Sequence, residues 1–251
     1  MQEQFVLTVS EGKRLIARAI GSYPPVKQAL GEGTVIICTG STNAYVYEEL
    51  AGQPIEKWRF ITGHMVPSSG IRGSKSPSAE IANLVIRRGK ADRSADWLTA
   101  LADLGPGDVI LKGANALNYE RRQAAVLIGH PEGGTVGSIV GIAAARRVQL
   151  IHPVGLEKSV PGDLQKAAVS IASTTSGFGK RSSTLWVSWG QVFTEIEALA
   201  TLCAVRATPI GAGGIGGAEG CIRLLVEGTA EQVRAAGGLI EQTAGEPGIL
   251  A

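Results

Sequence analysis

The sequence predicts an α/β fold, with a mostly parallel sheet covered by helices on both faces and a small C-terminal α+β lobe of ferredoxin-like type. Segments typical of strands and helices alternate along most of the chain, which favours parallel strands joined by crossover helices. The run Thr34–Cys38 is continuously apolar and rich in β-branched residues, as in a strand buried on both faces. Apolar residues make up 44% of the chain but aromatic residues only 5%, so aliphatic side chains must build the core.

The first elements follow from start and stop signals. Ser10 precedes an amphipathic segment that ends near Ile20, which predicts a capped helix. The Pro24-Pro25 pair breaks that helix, and a short helical piece is expected over 26–30. After the strand at 34–38, a second helix is expected over 44–50.

The middle of the chain continues the alternation after an interruption. Residues 58–66 are predicted to form a strand. Nine of the twelve residues from 67 to 78 are Ser, Gly or Pro, which predicts a mobile loop. Further strands are expected at 83–88, 108–111, 124–128 and 148–153, with helices at 94–104 and 135–147.

The last seventy or so residues follow a different order, β-α-β-β-α. A strand is expected at 184–187, two paired strands at 208–211 and 221–226, and helices beginning at the capping boxes of Thr194 and Thr229. This order resembles a split-βαβ unit. We therefore predict an anion-binding α/β domain over 1–180 and a small α+β lobe over 181–251.

Composition and charge exclude several classes of protein. The formal net charge is only +2, without a basic tail, which argues against a nucleic-acid partner. The three cysteines lack CxxC spacing and the three histidines lack metal-ligand spacing, so no metal or other cofactor is expected. No apolar run approaches the roughly 18 to 20 residues of a membrane helix, and no signal peptide is evident. A cytoplasmic protein without a membrane partner is the expectation.

The segment Thr39–Asn43 carries the strongest local signal of a binding site. Gly40 allows a sharp turn, Ser41 and Thr42 offer hydroxyl groups, and the helix start presents unpaired N–H groups that suit phosphate or carboxylate. The segment also follows a buried strand, where open α/β sheets bind their ligands. An ordinary turn with a Ser/Thr helix cap is the alternative interpretation.

A second candidate loop runs from His130 to Gly137, again between a strand and a helix. The amides of Gly133, Gly134 and Thr135 would face the same cleft as the first loop. His130 and Glu132 would stand at its edge and are the candidate catalytic residues for proton transfer. The alternative is a strand-end histidine and a carboxylate that favours the helix dipole.

Three segments resemble the ribose 5-phosphate isomerase superfamily, which also includes glucosamine 6-phosphate deaminases and CoA transferases. The stretch Thr39-Gly40-Ser41-Thr42 is similar to the isomerase phosphate loop. The stretch 108–117 is similar to the second signature, and Gly133-Gly134 lies near the position of its glycine run. The resemblance implies an α/β sheet with a small α+β lobe and a pocket for a small anionic metabolite.

The departures from that family concern its catalytic groups. Lys112, Asn115 and Ala116 stand where the isomerase signature has two aspartates and a glutamate, and Pro131 stands at the family's lysine. Because isomerisation needs a carboxylate base, the sequence argues against pentose phosphate isomerisation. Lys112 and Asn115 are instead expected to line the pocket, where Lys112 would attract an anion.

The Ser/Gly/Pro-rich loop carries two further candidate ligand-binding residues, Arg72 and Lys75. A basic loop beside an anion pocket could close over the ligand, whereas a solvated surface loop is the alternative. The glycine-dense segment 211–220 does not match a dinucleotide-binding motif, and its role stays open.

Three functional hypotheses remain from the sequence. The first is an enzyme or enzyme-like protein that acts on a phosphorylated or CoA-linked metabolite. The second is a non-catalytic metabolite sensor, or a subunit of an assembly, that kept the pocket and lost the acids. The third is a structural role in which the glycine loops pack at the interface of a homo-oligomer.

Overall fold

The computed structural model describes residues 1–67, 69, 75–173 and 183–250, which fold into three sheets and surrounding helices. The strands of these residues are β1 Gln2–Leu7, β2 Thr34–Ile37, β3 Leu84–Arg87, β4 Lys90–Asp92, β5 Val109–Leu111, β6 Ala116–Asn118, β7 Gln123–Ile128, β8 Gln149–Pro153, β9 Thr184–Ser188, β10 Gln191–Phe193, β11 Arg206–Ala212 and β12 Ile222–Glu227. The α-helices are α1 Val9–Ile20, α2 Pro24–Glu32, α3 Ser41–Ala51, α4 Trp97–Asp103, α5 Gly134–Arg146, α6 Leu164–Ala172, α7 Glu195–Cys203 and α8 Ala230–Glu241.

The central sheet has six strands in the order β10-β8-β5-β2-β3-β4 and is mixed. Strands β10, β8, β5 and β2 are parallel, whereas β3 runs antiparallel to β2 and β4 antiparallel to β3. The prediction of a mostly parallel sheet is therefore wrong. The chain reverses direction relative to β2 in the long connection between residues 38 and 83. A tight turn at Arg88 and Gly89, with φ angles of 47° and 74°, then joins β3 to the antiparallel β4.

Both faces of this sheet are buried, in agreement with the predicted α/β class. Val35 and Ile37 of β2 pack into a cluster with α1 and α3, while Ile36 and Cys38 pack into another with α4 and α5. Alternate strand residues point to opposite faces, so a continuously apolar β2 supplies both cores. None of the helices in the described parts of the chain has the length and apolar character to cross a bilayer.

The C-terminal hairpin belongs to a three-stranded antiparallel sheet in the order β1-β12-β11. The predicted pairing of the strands near 208–211 and 221–226 is confirmed. Its third strand is the N-terminal β1, which the sequence pattern did not predict. The predicted strand at 184–187 is β9, which instead pairs with β7 in the third sheet, β6-β7-β9.

The predicted boundary between residues 180 and 181 falls between strands that share sheets. β9 and β10 lie after the boundary, yet they pair with β7 and β8 before it. β1 lies before the boundary and pairs with β12 after it. Each of the three sheets of the described chain therefore contains strands from both sides.

The predicted strand at 58–66 is wrong, because the structure has a 3-10 helix at Lys57–Phe60 followed by chain outside the sheets. The backbone of this segment forms hydrogen bonds to residues outside the sheets. Gly40 N–H donates to the Phe60 carbonyl at 2.9 Å, and Ile61 N–H donates to the Ser78 carbonyl at 2.8 Å. Tertiary hydrogen bonds thus hold the segment against the start of α3 and override its strand-like sequence.

A buried histidine ties three strands together beside the central sheet. His152 of β8 lies within 2.5 Å of the Lys112 carbonyl through Nδ1 and within 2.6 Å of Ser188 Oγ through Nε2. Because a carbonyl can only accept, Nδ1 carries the proton and Nε2 accepts from the Ser188 hydroxyl. Burial lowers the pKa of His152 to about 4, so the ring is neutral at neutral pH.

We predict that His152 makes the free energy of unfolding depend on pH between about pH 6.5 and pH 4. Below a pH of about 6.5 the unfolded chain protonates this histidine, while the folded protein does not until a pH of about 4. The difference in free energy of unfolding between wild type and His152→Asn should therefore shrink by roughly 3 kcal/mol between about pH 7 and pH 4. Urea denaturation at both pH values measures it, and a constant difference would contradict the assignment.

Candidate functional site

The candidate site lies at one edge of the central sheet, where three parallel strands end. Residues 38–43 follow β2, residues 112–115 follow β5, and residues 154–158 follow β8. Because the strands are parallel, these three connections meet at the same edge, which is where open α/β sheets bind ligands.

A cavity of about 340 Å³ opens at this edge. Gly40, Ser41 and Thr42 at the start of α3 form one part of its wall. Three lysines, Lys13, Lys112 and Lys158, also line it, and no acidic residue does among the described part of the chain. The cavity is therefore a cationic hollow at a helix start.

A second cavity of about 360 Å³ lies against the first and holds the other predicted loop. Its lining includes His130 and residues 133–136 at the start of α5. Both cavities are lined by Thr62, Gly63, Lys112 and Asn115. The two loops that the sequence singled out thus face one cleft with Lys112 between them.

The two helices that open onto the cleft begin at a glycine and lack a side-chain cap; α2 also lacks one, but its first turn carries prolines. α3 has Gly40 and α5 has Gly133 at the N-cap, and neither helix has a side-chain cap. By contrast, a Thr or Asp side chain accepts hydrogen bonds at the starts of α1, α4, α6, α7 and α8. The first-turn amides at the cleft therefore lack the carboxylate or hydroxyl cap of those five helices, and they favour an anionic ligand.

Thr42 provides a second indication of a ligand at the start of α3. The residue is only 1% exposed, and its Oγ1 has no hydrogen-bond partner among the described residues. Buried hydroxyl groups are nearly always hydrogen-bonded in folded proteins. Since Thr42 lines the first cavity, a ligand oxygen there would satisfy it.

Lys112 lies at the centre of the cleft and is 7% exposed. Its ammonium has no hydrogen bond or ion pair within the described residues, and burial lowers the pKa of this lysine. The nearby Cys38 does not supply a counter-ion, because burial raises the pKa of its thiol to about 11. A buried cation without a partner is costly, so Lys112 favours an anion in the cleft.

Sequence reasoning missed the other two lysines. Lys158 donates from Nζ to the Ala114 carbonyl at 2.7 Å, and burial lowers its pKa to about 8. Lys13 is 7% exposed and lies 3.7 Å from Glu157 Oε1. The sequence did contain a signal that Lys13 is buried, because this residue falls on the apolar stripe of α1 with Ile16, Ala17 and Ile20.

A buried carboxyl group, Glu195, and a partly buried one, Glu157, lie near two of the lysines. Glu195 Oε2 accepts from Leu156 N–H at 3.0 Å, and Gly12 leaves room for this carboxyl, since a Cβ there would lie 2.5 Å from Oε1. Burial, with the adjacent Glu157, raises the pKa of Glu195 well above its usual range. Glu195 therefore keeps its proton more readily than an exposed carboxyl and compensates little of the lysine charge.

The two asparagines predicted to bind the ligand form hydrogen bonds to the backbone around the cleft. Asn43 Nδ2 donates to the carbonyls of Cys38 and Leu111 at 2.8 and 2.9 Å, which joins the ends of β2 and β5. Asn115 Nδ2 donates to the Gly63 carbonyl at 3.0 Å, and its Oδ1 accepts from Leu127 N–H at 3.0 Å. These amides hold backbone in place, whereas the sequence analysis assigned both residues to ligand binding.

The residues predicted to transfer protons or to close over the ligand do not all lie in the cleft. His130 is exposed and lines the second cavity, where its Nδ1 accepts from Glu132 N–H at 3.2 Å. Glu132 is exposed and lines neither cavity within the described residues, and the same holds for the partly exposed Lys75. Arg72 lies outside the described residues.

We predict that Lys112→Met stabilises the ligand-free protein. Methionine has a similar length without the charge, so the variant avoids the cost of burying an unpaired ammonium. The free energy of unfolding should rise by about 1 kcal/mol in buffer without multivalent anions. Lys166→Met on the exposed first turn of α6 is the control and should change it little. Destabilisation by Lys112→Met would mean that the ammonium has an internal partner.

Comparisons of the chain with protein-family models, with curated proteins and with solved structures found no match. The resemblance to the ribose 5-phosphate isomerase superfamily therefore remains a prediction from the sequence motifs. Function is inferred from the geometry and charge of the cleft.

Proposed function

We propose that this protein binds a small phosphorylated or CoA-linked metabolite, with an anionic group of the ligand at the start of α3. The observation that carries the proposal is Lys112, a buried ammonium without a counter-ion that faces two uncapped helix starts. Lys13 and Lys158 add positive charge to the same cavity, and Thr42 adds an unpartnered hydroxyl. A bound oxyanion would pair with the ammonium groups and would accept hydrogen bonds from the hydroxyl and the helix amides.

The size and composition of the cleft support a small organic anion. Each cavity is near the lower end of the roughly 300 to 1,000 Å³ typical of ligand pockets. Ile61, Val66 and Leu250 line the first cavity beside the lysines. These apolar side chains would contact the carbon skeleton of a metabolite, which an inorganic ion does not have.

A sensor that binds the same ligand without turnover is the second candidate. It is favoured by the absence of carboxylates from the described lining of both cavities. Sugar phosphate isomerisation needs a carboxylate base beside the carbonyl, and Lys112 and Asn115 replace it here. If a reaction occurs, Lys158 could move a proton in the first cavity, because burial lowers its pKa to about 8. The imidazoles of His64 and His130 also line the cleft.

The first test is stabilisation by fructose 6-phosphate, measured by thermal denaturation. A bound ligand at one hundred times its Kd should add about 2.7 kcal/mol to the free energy of unfolding of the wild type. The double variant Thr42→Val with Lys112→Met should lose the effect, because it removes the hydroxyl and the ammonium without changing side-chain volume much. Lys166→Met should keep it. Equal stabilisation of the double variant would exclude this site.

The second test is the pH dependence of that binding. The pKa of Lys158 is about 8 in the free protein, so this lysine loses its charge as the pH rises through that value. The phosphate monoester keeps its charge over the same range, because its second pKa is about 6. Affinity measured by calorimetry should therefore fall by up to about tenfold between about pH 7 and pH 9.

Lys158→Arg provides the matched control, since a guanidinium stays charged throughout that range. The fall in affinity should be smaller in this variant than in the wild type. An identical pH profile for both proteins would show that Lys158 does not contact the anion.

A further inference from the structure

We propose that the physiological ligand carries two anionic groups, one at the start of α3 and the other at the start of α5, with Lys112 between them. This inference rests on the proposed function and adds a second binding site to it. The chemical class is a bisphosphorylated metabolite, or one with a phosphate and a second acidic group. The second site consists of residues 133–136, His130 and Lys112 in the second cavity.

The two cavities adjoin each other. Thr62, Gly63, Lys112 and Asn115 belong to the lining of both, so the same side chains face each hollow. A ligand with two anionic groups could therefore place one group on each side of Lys112. A single phosphate would leave one of the two hollows without an anion.

The start of α5 has a backbone that depends on glycine. Gly133 and Gly134 have φ angles of +81° and +54°, in the left-handed region. A Cβ on Gly133 would lie 2.9 Å from Gly137 Cα, and a Cβ on Gly137 would collide with the Glu132 carbonyl. The loop thus folds tightly onto its own helix, which brings the first-turn amides to the surface of the cavity.

A helix start alone does not define a site, and Lys112 supplies the independent observation. It is 7% exposed, it has no partner for its charge in the described chain, and it faces the second cavity as well as the first. The second cavity, like the first, has no carboxylate in its described lining. Two uncapped helix starts and an unpaired ammonium therefore converge where one anion could satisfy only part of the charge.

The test compares fructose 1,6-bisphosphate with fructose 6-phosphate by calorimetry on the full chain. The wild type should bind the bisphosphate on the order of tenfold more tightly, because the second phosphate gains charge-assisted hydrogen bonds at α5. In Thr135→Glu a carboxylate occupies the first turn of α5, where the helix dipole tolerates it and the second phosphate is repelled. This variant should bind both sugars with equal affinity, so that the preference for the bisphosphate is lost.

Gln165→Glu is the matched control, because Gln165 has the same second position in α6 and is exposed away from the cleft. It should retain the preference for the bisphosphate. Equal affinities in the wild type, or a preference that survives in Thr135→Glu, would overturn the two-anion inference while the proposed function stands. If neither sugar phosphate binds, the proposed function fails, and this inference fails with it.

Discussion

The functional account depends on one constraint, which is that the ammonium of Lys112 is buried at the end of β5 without an internal counter-ion. The residue cannot move away, because its backbone continues a parallel strand between β2 and β8 and its N–H donates to the Ile151 carbonyl at 3.0 Å. Its side chain must therefore occupy the edge where the neighbouring strands also end. A cation fixed in this way is stable only with an anion or with partial loss of its proton.

The surrounding side chains make that position rigid. His152 donates to the Lys112 carbonyl, and Asn43 joins the carbonyls of Cys38 and Leu111 at the adjacent strand ends. Asn115 connects the same loop to residue 63 and to β7. Such neutral amides and a neutral imidazole satisfy backbone groups without neutralising Lys112. The framework thus positions positive charge and leaves it for a ligand to compensate.

The sequence predicted the parts of the site that local chemistry defines. The loops at Gly40 and Gly133 each combine a glycine turn with a helix start after a strand, and the structure brings both to Lys112. Lys158 was missed because it lies in the connection after β8, where no motif marks it. Lys13 was missed although its place on the apolar stripe of α1 was visible.

The differences between the predicted and the observed fold have non-local causes. β1 pairs with β12 from the other end of the chain, and no pattern within residues 2–7 indicates that partner. Residues 58–66 have strand-like composition, yet their backbone bonds to the start of α3 and to Ser78. The central sheet is mixed because β3 returns beside β2 in the antiparallel direction after more than forty intervening residues, and no local pattern in the chain indicates that direction.

The most direct measurement of the central claim is the titration of Lys112 itself, followed by NMR of the protein labelled at its lysine side chains and assigned with Lys112→Met. The account predicts a pKa below the ordinary lysine value in the free protein, and a rise when inorganic phosphate is added, because the bound anion stabilises the charged form. An ordinary pKa that phosphate leaves unchanged would contradict it, since Lys112 would then be solvated and would not require an anion.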